Sequence, residues 1–392
     1  MESNTRFHTN QPNGRQRVAR WLIPAIAVAI TVGATVAWQS SVASAADDCP
    51  GGTTELTAAF ADTPDGLQGA DYQRAIGLPD GRRLWTFQDA FVARPGNSDS
   101  LVHNVGVVQD GACFRLLRSG TADNPRPWLA GESTRRYQHW FWPLGATLPG
   151  DGTVRIFLAE FEERGARYLA NSTPVATWLA TLDVTSLELI SLTPAPDPSP
   201  ALYGWSVASD DEFTYLYGHC YRQFGFGFLG HDGCTASVTV ARTSHNLSRP
   251  LEYWNGTGWT TDAAAAANVA PTTAPDGTAR AINPTQVARA GTRWIAVTKE
   301  GDWWGSRIYV DVAVSPTGPW RTVAVVDAAA PNADENTYFA SIIEVDPASG
   351  SLVIGLSHNR WDGAESSVYR PTFQTVTVST LLDVRFRAPG SW

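Results

Sequence analysis

The stretch "GLPDGRRLWTFQDAF", Gly77 to Phe91, reads as an apolar strand end, a tight turn at Pro79-Asp80-Gly81, and a second apolar strand that stops on a carboxylate, Asp89. Proline and glycine set the turn dihedrals, and the flanking Leu, Trp and Phe suit a half-buried pleated surface. An acid at the end of such a strand, where an apolar residue would pack, requires a reason outside the core.

The form recurs. "HWFWPLGATLPGDGTVRIFLAEFEE", from His139, turns at Gly150-Asp151-Gly152; "GWSVASDDEFTYLYGHC", from Gly204, turns at Asp210-Asp211; "NPTQVARAGTRWIAVTKEGDW", from Asn283, turns at Ala290-Gly291; "TYFASIIEVDPASGSLVIGLSHN", from Thr337, turns between Pro347 and Gly350. With Asp71 opening the first, the hairpins start near residues 71, 140, 205, 283 and 338, about 67 residues apart on average. Repetition on that scale, without a long helical stripe, predicts an all-β chain: a five-bladed β-propeller over residues 46–392, preceded by a signal or anchor segment over residues 1–45. Paired β-sandwiches are the competing architecture, but their strands come at even spacing without such a recurring hairpin. The Pro-rich run Thr193 to Ala201 and the Ala/Thr-rich run Thr260 to Ala279 read as connectors within one domain.

A propeller hairpin begins and ends on one face, near the central axis, so Asp71 and Asp89 are expected to be neighbours. The same rule brings His139, Trp140, Glu160 and Glu162 from the second hairpin to that face, and Trp205 and His219 from the third. Asn283 and the Lys299-Glu300 pair come from the fourth, Tyr338 and His358 from the fifth, and His103-Asn104 from the start of a further strand. Two carboxylates flanking a bond are what glycoside hydrolysis requires, and aromatic rings offer stacking floors for sugar faces. The candidate catalytic acids are therefore Asp71, Asp89, Glu160 and Glu300. The candidate sugar-binding residues are Asn104, His139, Trp140, Trp205, His219, Asn283, Tyr338 and His358. Asp80 and Asp151 are turn residues.

Other chemistries find less support. The chain has no GxSxG and no phosphate loop. No HxH or HExxH spacing points to a metal, so no cofactor is expected, an axial ion remaining open. Its formal net charge is −9, with Lys299 the single lysine, which disfavours a nucleic-acid partner.

Arg15, Arg17 and Arg20 precede an apolar run from Trp21 to Trp38 and the small residues Ala43-Ser44-Ala45, an export signal with cleavage expected before Ala46. Retained instead, the segment would anchor the protein to the outer face of the plasma membrane; either way a secreted or extracellular location follows. Cys49, Cys113, Cys220 and Cys234 are an even set suited to that compartment, with Cys220–Cys234 and Cys49–Cys113 the favoured pairs. The expected partner is a polysaccharide, and the protein is expected to act as a monomer.

With these residues placed, the chain resembles the five-bladed propeller glycosidases. It is more closely similar to a family of secreted, largely actinobacterial proteins catalogued as domain of unknown function 4185. The stretches that carry the likeness are "GADYQRAIGLPDGRRLWTFQDAF" (Gly69 to Phe91), "LVHNVGVVQDG" (Leu101 to Gly111), "WFWPLGA" (Trp140 to Ala146), "TYLYGH" (Thr214 to His219), "VSPTGPW" (Val314 to Trp320) and "TYFASIIEV" (Thr337 to Val345). The resemblance implies hydrolysis of a furanose-containing glycan, such as cell-wall arabinan, by an endo-arabinanase-like enzyme. It places Asp71 and Asp89 at the acidic positions of the first blade. Gln88-Asp89 stands here where that family has a Gly-Asp pair. A propeller that binds carbohydrate without cleaving it is the alternative reading.

Overall fold

A computed structural model describes residues 55–61, 66–130, 138–163, 172–195, 201–219, 237–280, 286–301, 305–328, 335–360 and 369–378. The chain separates into Met1–Ser41 and Val42–Trp392. The leader read at residues 1–45 lies outside the described residues, and none of the described helices is long and apolar enough to cross a membrane.

The described part is almost entirely antiparallel sheet. Five sheets follow one another along the chain, each opened by a hairpin. Their first hairpins are Arg74–Gly77 with Arg83–Phe87, Gln138–Thr147 with Thr153–Glu163, Ser206–Ser209 with Thr214–His219, Gln286–Ala290 with Arg293–Lys299, and Glu335–Asp346 with Ser351–Arg360. Each first strand lies beside the first strand of the next sheet, and Glu335–Asp346 returns beside Arg74–Gly77, so the contacts close a ring. The turns follow local chemistry. Gly81, at φ +92°, supplies the left-handed step that the Pro79-Asp80-Gly81 corner needs, and Asp80 bonds the amide and guanidinium of Arg82.

The core is divided among the sheet interfaces rather than collected in one place. Leu84 and Val108 of the first sheet pack with Phe141, Ile156 and Leu158 of the second. Trp142, Phe157 and Phe161 of the second pack with Leu202, Tyr203 and Trp205 ahead of the third. Period-two strands explain this: middle strands such as Thr214–His219 and Arg293–Lys299 are buried on both faces, one row towards the sheet before and one towards the sheet after.

Two departures from simple repetition matter. Between the second and third strands of the first sheet, the chain detours through a hairpin, Ala90–Arg94 and Asn97–Val102, which pairs with the early strand Leu67–Ala70. Asp89 stands at the junction where the sheet strand ends and this detour begins. The early strand also reaches the last described strand, Arg370–Thr377: the Ala70 amide donates to the Tyr369 carbonyl, and the Arg370 guanidinium donates to the Gln68 carbonyl. The two ends of the ring are thereby tied together.

Candidate active site

Asp71 and Asp89 face each other. The Asp71 amide donates to the Asp89 carbonyl at 3.2 Å, and the Asp89 amide donates to Oδ1 of Asp71 at 3.2 Å. The Tyr338 hydroxyl donates to Oδ2 of Asp71 at 2.8 Å, and Tyr369 bonds the same carboxyl. Asp71 is buried, and that burial, reinforced by the charge of Asp89, pushes its pKa up to about 8. Asp89 has a different setting: its Oδ1 accepts from the Trp142 indole at 2.9 Å and meets Nδ1 of His103 at 3.1 Å. One carboxyl is thus sealed among tyrosines and holds its proton, while its neighbour is oriented by an indole and an imidazole.

The residues beneath this pair are held in unusual backbone states. Tyr72 and Phe339 have φ of +50° and +48°, a region that aromatic residues seldom adopt, and their rings lie 4.6 Å apart. Tyr72 also meets Tyr338 at 5.6 Å and Trp205 at 6.2 Å, both edge to face. The Tyr72 amide donates to Ser357 Oγ, whose hydroxyl donates to Gln73. Strain of this kind persists only where the surroundings over-determine it; here the first, third and fifth sheets supply those surroundings. Arg74 lies below, its guanidinium 4.8 Å from the Trp205 ring and 4.6 Å from the Phe339 ring.

On the second sheet, His103 stacks on Trp140 at 4.7 Å, and Trp140 stacks on Phe161 at 5.8 Å. Glu160 accepts from the Trp178 indole at 2.6 Å and meets His139 Nδ1 at 2.7 Å; Glu162 stands 4.0 Å from the other nitrogen of His139. His219 lies 6.2 Å from the Trp205 ring, and His358 meets Glu335 at 3.0 Å. Among the described residues, no three His, Cys, Asp or Glu side chains are grouped as metal ligands.

Several side chains read as sugar contacts have other work. Asn104 is fully buried; its amide donates to the carbonyls of Leu129 and Phe141, and its oxygen accepts from the Leu129 amide. It clamps the first sheet to the second, so the expectation that it touches substrate is corrected. Tyr338 is also fully buried, so it reaches the site only through Asp71. Glu300 is gripped by both Nε and Nη2 of Arg307 and by the Tyr309 hydroxyl, and the Arg307 guanidinium holds its pKa below the ordinary glutamate value. A carboxylate so paired is a poor proton donor, and the general-acid expectation for Glu300 is corrected on that ground. Asn283 lies outside the described residues. Cys113 is disulfide-bonded; Cys49, Cys220 and Cys234 lie outside the described residues.

The sequence reading passed over Trp142, Tyr369 and the left-handed Tyr72 and Phe339. Trp142 had a usable signal, since it stands two residues after Trp140 on one strand and therefore shares its face. The other three had none.

The chain is similar over 85% of its length, at 20% identity and a TM-score of 0.64, to a candidate hydrolase from Bacteroides ovatus, of which 91% is covered; the two share a fold. Weaker likenesses are to a GH43_1 enzyme from Xanthomonas citri (16% identity, 81% of this chain, 92% of that one, TM-score 0.46) and to a GH43 endo-arabinanase from Bacillus licheniformis (11% identity, 80% and 95%, TM-score 0.41). No curated protein matches. The family whose model does match is not number 4185, the one expected from the short stretches above. It is the domain of unknown function DUF5005, matched by residues 56–379, and the chain belongs to that family.

Proposed function

We propose that this protein is a secreted glycoside hydrolase, built as a five-bladed propeller, that cleaves a furanose-containing polysaccharide such as cell-wall arabinan. The observation that carries the reading is the unequal pair Asp71 and Asp89. Two adjacent carboxyls, one kept protonated by burial and the other oriented by Trp142 and His103, form the kind of split that acid–base hydrolysis exploits. Asp89 is the carboxylate that faces substrate. Asp71 acts from beneath it, fixing its backbone and setting the local charge. Glu160, partly exposed and oriented by His139 and Trp178, is the proton donor from the second sheet. His103 and His139, with Trp140 buried behind His103, form the wall against which a sugar ring packs.

The closure of five inner strands into one ring supports the blade count, and the likeness to the Bacteroides ovatus protein is compatible with hydrolysis. The polysaccharide, the extracellular location, the monomeric state and the pairing of the cysteines rest on the sequence reading. The test is release of reducing ends from arabinan and arabinogalactan. Asp89→Asn is expected to lower kcat/KM by about 10²-fold or more with a nearly unchanged thermal midpoint. Glycan binding without release by the wild type would instead identify a carbohydrate-binding propeller.

A further inference from the structure

Along the ring axis, beyond the layer formed by Tyr72, Trp205 and Phe339, lies a cavity of about 300 Å³ whose walls come from the first strands of all five sheets. Arg74 and Gln286 line it, and both are more than nine-tenths buried. Nη1 of Arg74 is spent on the carbonyls of Tyr72 and Pro143. Its Nε and Nη2, and Nε2 of Gln286, are buried without any hydrogen-bond partner. The hydroxyls nearby are used already: Ser206 exchanges bonds with the amide and carbonyl of Val287, and Ser341 accepts from Gln73 and donates to the Gly355 carbonyl.

The unmet groups named here are therefore all donors. Leaving buried donors unpaired is costly, more so where the group is charged, and native interiors rarely leave such groups unanswered. The described wall residues include a second arginine, Arg289, but no aspartate or glutamate. Desolvation in this place pulls the Arg74 pKa down to about 9, against the opposing pull of Tyr72 and Asp71. A bound cation would face a fixed positive charge and no carboxylate. An anion would meet three unpaired donor nitrogens and neutralise Arg74.

We propose that the axial cavity is a binding site for a small monovalent inorganic anion of the chloride type, held by Arg74 and Gln286, which cements the five inner strands. The anion binds only the closed ring, so it stabilises the folded chain in proportion to its occupancy. The site is separate from the acid pair, and the proposal does not depend on glycan hydrolysis.

The test uses the full chain in sodium chloride or sodium bromide against sodium gluconate at matched ionic strength. The thermal midpoint is expected to rise with halide and to saturate. Gln286→Leu should raise the half-saturating concentration about tenfold, the effect of losing one hydrogen bond to a charged partner. Crystals grown in bromide should show an anomalous peak within hydrogen-bond reach of Arg74 Nη2 and Gln286 Nε2. If Gln286→Leu does not fold, Gln286→Glu, which sets a carboxylate against the anion, should remove the halide dependence. Equal midpoints in halide and gluconate, or bromide peaks only outside the cavity, would overturn the proposal and leave water as the occupant; so would a rubidium peak in its place.

Discussion

The hydroxyl of Tyr338, on the inner strand of the fifth sheet, donates to the carboxyl of Asp71, which leads into the inner strand of the first and lies 267 residues earlier in the chain. That bond crosses the seam where the ring closes, so the charge state of the acid pair and the closure of the fold share one contact. It favours the ionised form of Asp71 against the burial that opposes it. Tyr338→Phe should therefore raise the Asp71 pKa further and lower stability by about 1–3 kcal/mol. Carboxyl-carbon NMR titration and denaturant unfolding report the two effects separately.

Stability should also depend on pH through Asp71. Its pKa is raised on folding, so the folded chain holds a proton that the unfolded chain releases. The stability this contributes is complete below the ordinary aspartate value of 3.8 and is lost as pH rises towards about 8. Thermal midpoints across that window should fall with rising pH in the wild type. Asp71→Asn, which carries no titrating group, should flatten the slope and match or exceed the wild type near pH 8.

A buried ion pair in the fourth sheet supplies a test independent of the site. Arg280 donates to both oxygens of Asp311, at 3.1 and 2.8 Å, Thr322 donates to the same carboxylate, and both ionic side chains are almost fully enclosed. Arg280→Met strands the charge on Asp311 and should cost about 3–5 kcal/mol, whereas Arg280→Met combined with Asp311→Leu should recover most of the loss. Equilibrium unfolding of the two single variants and the double variant reads this directly.

Gly204 precedes the third inner strand with φ +97°, and a methyl group added there would enter the Phe157 ring. Gly204→Ala combines a left-handed backbone with a clash against the second sheet, and should cost about 2 kcal/mol or more. A Gly150→Ala variant, also left-handed but open to solvent, isolates the backbone part of that cost.

Much of the architecture was legible because it is written locally. The Pro79-Asp80-Gly81 corner, the Gly150-Asp151-Gly152 corner and the strands beside them depend on residues within a few positions of each other, so period and turn chemistry expose them. The acid at Asp89 was legible for a related reason: it breaks an apolar strand at its end, and such a break marks where the sheet stops being core. The Asn104 clamp was not legible, since an asparagine that bridges two sheets and one that meets a ligand have the same local sequence. Glu300 was misleading for a similar reason, because its partner Arg307 lies across a loop and only the antiparallel register brings them together.

By itself, then, the amino-acid order determines the strands, their turns and the carboxylates set at their ends, all consequences of short-range sterics and hydrophobic alternation. Which of those carboxylates is sealed and which is wet, that Tyr72 and Phe339 are forced into left-handed backbone, and that Arg74 projects unmet donors into an axial cavity were decided only by the closing of the ring. Burial and charge are properties of the space between sheets, and that space exists only once strands from opposite ends of the chain have met.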